Sequence, residues 1–103
     1  MIDPVQIINQ LFDMQVKLKE AGTLPQFDRN FNRLYSMFEE DGFIIQDPTG
    51  EVYTETRADC EVSITGRLNA RMKITRTIKP IIYQKQNGNL LLLQKAVVMA
   101  ENN

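Results

Sequence analysis

The 103-residue sequence contains no histidine and no tryptophan, and it has one cysteine. Without an imidazole, every mechanism that depends on a histidine base is excluded, and so is a Cys/His zinc site within one chain. A single thiol cannot build a disulfide framework. No window approaches the ~18 consecutive apolar residues of a membrane span. The start, Met1-Ile2-Asp3-Pro4, lacks the basic and apolar regions of a secretory signal. The expectation is a cytoplasmic protein with no membrane association. Five glycines are spread singly along the chain, so no phosphate-cradling loop is formed. These absences remove most enzyme classes and point to a chain that works without catalysis, metal or cofactor.

What is present is close to the globular average: 43% hydrophobic and 24% charged residues. That composition and length suit one compact domain, or a helical piece plus a small sheet. The net charge of −1 conceals a division. Residues 1–61 carry five basic and twelve acidic side chains, whereas residues 62–103 carry seven basic and one acidic. Two oppositely charged halves can attract each other or orient a partner.

The pattern along the chain predicts an α+β fold: an antiparallel helical hairpin over 1–42, then a small, mostly antiparallel β domain over 43–103. Asp3 as N-cap and Pro4 at the first helical position open a helix. Its apolar stripe is Ile7, Leu11, Met14, Leu18 and Ala21, widened by Val5, Ile8, Phe12 and Val16. Gly22 ends it. A second helix from about Pro25 to Asp41 repeats Phe27, Phe31, Leu34 and Phe38 at helical spacing. These stripes are wider than one antiparallel neighbour covers. Leu11, Met14, Leu18, Phe27, Phe31, Leu34 and Phe38 are therefore the candidate homodimer interface.

After Gly42 the period changes to two. Asp47-Pro48-Thr49-Gly50 is a turn sequence. Cys60, Val62 and Ile64 alternate with polar residues, as do Met72, Ile74 and later Ile78. Pro80 marks an edge, a bulge or a break, and Asn87-Gly88 is a type I′ hairpin signal. Cys60, on the apolar side of its strand, is expected to be a small buried hydrophobe. The acidic run Glu39-Glu40-Asp41 reads as a solvated helix end, with a metal or partner site as the alternative.

The cations Arg57, Arg67, Arg71, Lys73, Arg76 and Lys79 are the strongest candidate for binding. Of these, Arg71, Lys73, Arg76 and Lys79 form the expected partner-binding set, with Arg71 and Lys73 on one polar strand face. Nucleic-acid binding would want stacking aromatics among them, and residues 62–103 hold only Tyr83. A basic sheet face docking on an acidic protein surface needs no such help. A small nucleic-acid or anionic-ligand binder remains the alternative reading.

The order of elements resembles the C-terminal part of GrpE-type nucleotide exchange factors. Leu11-Phe12-Asp13-Met14-Gln15-Val16-Lys17-Leu18 looks like that family's first bundle helix. Phe31 to Phe38, followed by Gly42-Phe43-Ile44-Ile45, is similar to its second helix and the junction that follows. Gly50-Glu51-Val52-Tyr53 resembles its Gly-Glu-x-Phe step, and Gln94 to Ala100 resembles its closing strand. Asp59-Cys60-Glu61-Val62 stands where the family has His-Glu-Ala-Val. Arg76-Thr77-Ile78-Lys79-Pro80 precedes the Asn87-Gly88 hairpin, whereas its counterpart in the family follows a hairpin. The resemblance implies a homodimeric co-chaperone that binds a DnaK-type chaperone and promotes nucleotide exchange by binding alone.

Overall fold

A computed structural model describes residues 1–66 and 72–102. The fold is α+β, with two N-terminal helices and two mostly antiparallel sheets. Helix α1 spans Pro4–Glu20, and the Asp3 carboxylate accepts from the Val5 amide at 3.0 Å, as the N-cap signal requires. A 3₁₀ turn, Leu24–Phe27, takes up the start expected for the second helix, and α2 runs Asp28–Glu40. The strands are β1 Phe43–Gln46, β2 Val52–Tyr53, β3 Cys60–Thr65, β4 Met72–Lys79, β5 Ile81–Gln86, β6 Asn89–Gln94 and β7 Ala96–Asn102.

One sheet has the order β1-β5-β6 and the other β2-β4-β7-β3. All pairings are antiparallel except β3 with β7. The division into two sheets follows from Pro80. Lacking an amide proton to give to a ladder, it stands between β4 and β5, where the chain passes from one sheet to the other. Lys95 makes the return crossing between β6 and β7. Asn87 (φ 51°) and Gly88 (φ 78°) close the β5–β6 hairpin with both residues in the left-handed region, as a type I′ turn demands.

Neighbouring Ile81 and Ile82 are both fully buried. Adjacent strand residues point to opposite faces, so the start of β5 is covered on both sides. Ile81 packs with Tyr53, Cys60, Met72, Ile74, Ala96, Val98 and Ala100 of the four-stranded sheet. Ile82 packs with Ile8 of α1 and with Phe43, while Val5, Phe38 and Ile45 flank that group. Ile8 of α1 and Phe43 of β1 thus share one core.

The buried stripe of α1 is rotated from the one read in the sequence. Ile8, Asn9, Leu11 and Phe12 are buried, whereas Ile7, Met14 and Ala21 are exposed. A reciprocal amide pair between Asn9 and Gln94, 2.8 Å each way, turns the helix so that Asn9 faces β6. Gln94 also donates to the Pro80 carbonyl at 2.9 Å, tying helix, strand and sheet crossing together. Period two also fails at the end of β4: Thr77 is buried and Ile78 is exposed, for a reason given below.

Candidate binding surfaces

Strand β4 lies between β2 and β7, paired with β2 at Met72 and Lys73 and with β7 from Met72 to Lys79. Its register against β7 breaks twice, between Ile74 and Arg76 and between Thr77 and Lys79. Each break inserts one extra residue, Thr75 and then Ile78, which is how a bulge re-aims a strand. The consequence is a change of face. In an unbroken strand, residues three apart point to opposite sides. Here Lys73 pairs with Glu101, Arg76 with Met99 and Lys79 with Val97. Those partners alternate with buried Val98 and Ala100, so they share the outward face of β7, and the three cations share it with them. The same two insertions carry Thr77 inward, where its hydroxyl meets Thr49 Oγ1 at 2.8 Å, and leave Ile78 at the surface.

The face is a stripe of mixed charge. Lys73, Arg76 and Lys79 are all exposed, and Arg76 Nη2 stands 3.4 Å from Glu20 of α1, with both side chains more than half exposed. Such an exposed pair contributes little to stability, on the order of 0–1 kcal/mol. Glu61 of β3 pairs in register with Val97, so acidic side chains rim the same outward face along with Glu101. No aromatic residue of β3, β4 or β7 is available to stack a base. Arg71, the fourth cation of the expected set, lies outside the described residues, as does Arg67.

Arg57 leaves the basic group altogether. Its guanidinium bonds Asp59 Oδ1 at 2.7 Å and Glu51 Oε1 at 2.9 Å, and donates to the Val52 carbonyl at 3.3 Å. The hydrogen bond to Asp59 holds Arg57 protonated far above its ordinary range, and it lowers the Asp59 carboxyl in turn. Beside this cluster Cys60 is buried, and burial pushes its thiol up to about 11. A thiol so raised supplies almost no thiolate near neutral pH.

A cleft of about 820 Å³ opens between the two helices, β1 and β4. Several of its polar groups pair with one another. Tyr35 Oη donates to Gln15 Oε1 at 2.9 Å, and Asp47 Oδ1 accepts from the Thr49 amide at 3.0 Å and hydroxyl at 2.6 Å. Burial, aided by the Asp47 charge, raises the Tyr35 phenol to about 12, so it stays neutral. Among the described residues no group of three or more Cys, Asp or Glu is arranged to hold a metal ion. No helix among them is long and apolar enough to cross a membrane.

The seven helix residues expected at a dimer contact separate into three groups. Leu11 and Phe31 are buried within the chain, Leu18 and Phe38 are half-buried, and Met14, Phe27 and Leu34 are exposed. Leu90–Leu93 of β6, which the sequence pattern above did not single out, are all four exposed. Four consecutive leucines directly after the hairpin turn were the available signal, because an unbroken apolar run is apolar on both faces. Comparison with protein-family models, with curated proteins and with solved structures finds no match for this chain.

Proposed function

We propose that the protein is a non-catalytic protein-binding module, a GrpE-like co-chaperone that promotes nucleotide exchange on a DnaK-type chaperone in the cytoplasm. The observation that carries the binding reading is the single outward face on which two bulges collect Lys73, Arg76 and Lys79. Pairing with β7 at all three positions fixes the backbone that carries those charges, so little backbone ordering is left to do on association. The interleaved Glu61 and Glu101 favour a protein surface of patterned charge over a uniformly anionic polymer. Exchange of this kind needs no chemistry in the co-chaperone: preferential binding to an open chaperone state weakens the nucleotide by reciprocal coupling. The GrpE-like assignment rests on the sequence resemblance, and with it comes a homodimer; the helical hairpin rests on the short link between the two helices.

The test is release of a fluorescent ADP from a purified DnaK-type chaperone. Faster release with the wild-type chain, lost in Lys73→Glu/Arg76→Glu/Lys79→Glu, supports the proposal. Unchanged release with the wild-type chain removes the exchange reading. Binding of a labelled single-stranded oligonucleotide by the wild type and not by the triple variant would instead establish the anionic-ligand alternative.

A further inference from the structure

The cleft between the two helices, β1 and β4 has an apolar interior and a charged rim. Phe12 is buried there, and Val16, Leu24 and Ile45 are half-buried, whereas Lys19, Glu20, Glu39, Asp47 and Arg76 are exposed. Its volume, about 820 Å³, falls within the ~300–1,000 Å³ of sites that enclose a small molecule. Such sites combine apolar walls with a few convergent polar groups, and those groups fix which ligand fits.

Four hydroxyl groups of the described residues line the cleft, and each has one proton to give. All four protons are spent inside the protein. Tyr35 donates to Gln15 Oε1 at 2.9 Å, Thr49 to Asp47 Oδ1 at 2.6 Å and Thr75 to the Met99 carbonyl at 3.3 Å. Because the Thr49 proton goes to Asp47, the 2.8 Å contact between the Thr49 and Thr77 hydroxyls takes its proton from Thr77. The hydroxyls therefore offer a ligand oxygen lone pairs and no donor. The Asp47 and Glu39 carboxylates add further acceptors. Charge leans the same way. Among the described lining residues Arg76 is held 3.4 Å from Glu20, which leaves Glu39 and Asp47 against Lys19. The Asp47 charge also acts on Tyr35, whose phenol, raised to about 12, stays neutral with its oxygen free to accept.

We propose that the cleft binds a small organic cation, a primary amine carried on an aryl or alkyl body. The body displaces water from Phe12, Val16, Leu24 and Ile45. The ammonium brings three protons and no acceptor, the complement of a wall that has acceptors to offer. Asp47 takes one proton in a charge-assisted hydrogen bond, and the Tyr35 and Thr77 oxygens are the neighbouring acceptors. A neutral alcohol of the same shape brings one proton and no charge. A carboxylate sets lone pairs against lone pairs and like charge against Asp47 and Glu39, which leaves acceptors unpaired. The site shares only Arg76 with the basic face of β4 and does not depend on the exchange reading.

The test titrates the ¹⁵N-labelled full chain with 2-phenylethylamine, 2-phenylethanol and 3-phenylpropanoate, followed by amide chemical shifts. The amine should shift Tyr35, Ile45, Asp47, Thr49 and Thr77 and saturate at ~1 mM, the scale for so small a fragment. The alcohol and the carboxylate should each bind about tenfold more weakly or worse, for want of the charge-assisted bond. Asp47→Asn keeps an oxygen for the Thr49 amide and removes the charge, so amine affinity should fall about tenfold, toward that of the alcohol. Asp13→Asn, which removes an α1 carboxylate outside the cleft, should leave it unchanged. Four results would overturn the proposal: no shifts with the amine at about 20 mM, shifts away from the cleft, equal affinity for the alcohol or the carboxylate, or undiminished amine binding in Asp47→Asn. If Asp47→Asn fails to fold, the three probes on the wild-type chain decide alone: a preference for the amine at the cleft supports the site, and equal binding refutes it.

Discussion

Cys60 and Arg57 occupy neighbouring places on the chain and have opposite relations to solvent chemistry. Cys60 fills a gap in the four-stranded sheet's core, so Cys60→Ala should cost roughly 1 kcal/mol in urea unfolding, mostly through lost burial. A bulky thiol reagent should label the native protein slowly and the unfolded protein at once. The raised thiol also makes a pH prediction. Its folded value, about 11, lies above the unfolded value near 9, so its contribution to stability is complete below pH ~9 and is lost as pH rises toward 11. Melts at pH 8 and pH 10.5 should therefore show a larger alkaline loss in the wild type than in Cys60→Ala; an equal loss would place the titration elsewhere. Asp59 acts in the opposite sense. Its lowered carboxyl stabilises above the unfolded value near 4 and stops doing so as pH falls through the folded one. The buried character of Cys60 was legible, because alternation put it on the apolar side of a strand. The fate of Arg57 was not, because only the folded loop brings Glu51 and Asp59 onto one guanidinium.

At the level of elements, local chemistry was readable wherever one or two residues decide the outcome. The Asp3 cap, the Asn87-Gly88 turn and the Pro80 break all follow from backbone geometry that few other residues allow. Two glycines allow this to be graded. Gly88 has φ 78° with nothing within 4 Å of an added Cβ, so Gly88→Ala should lose about 1 kcal/mol from conformation alone. Gly42 has φ 90° and would also bring a Cβ to 3.3 Å from the Lys85 carbonyl oxygen, whose residue's amide bonds the Gly42 carbonyl at 2.9 Å. Gly42→Ala should therefore be the more destabilising in thermal melts, by roughly another 1 kcal/mol or more. Equal losses would mean that the α2–β1 junction relaxes freely. Long-range pairing was not readable in the same way. The bulges at Thr75 and Ile78 depend on the register against β7, some 20 residues later in the chain, and they reverse the face predicted for Ile78. The rotated stripe of α1 likewise depends on Gln94, far away in sequence.

For the whole molecule, the fold mixes charges that the sequence separates: the cations of β4 stand on one face with Glu61 of β3 and Glu101 of β7. The α+β class and the existence of a basic strand were legible in the sequence. That the cations share a face at a spacing of three was not, since an ideal strand forbids it. Binding through this face should weaken as salt rises, because screening at ~0.15 M limits charge attraction to about 8 Å. Reversing Lys73, Arg76 and Lys79 should flatten that salt dependence while leaving the melting temperature within a few degrees, as exposed strand positions tolerate such changes within about 0.5 kcal/mol each. The most direct test of the face is a titration of the ¹⁵N-labelled protein with the nucleotide-binding domain of a DnaK-type chaperone, followed by amide chemical shifts. The account predicts shifts concentrated at Lys73, Arg76 and Lys79 and at their cross-strand partners Val97, Met99 and Glu101. Shifts confined to the cleft around Tyr35 and Asp47, or no shifts at saturating concentration, would contradict it.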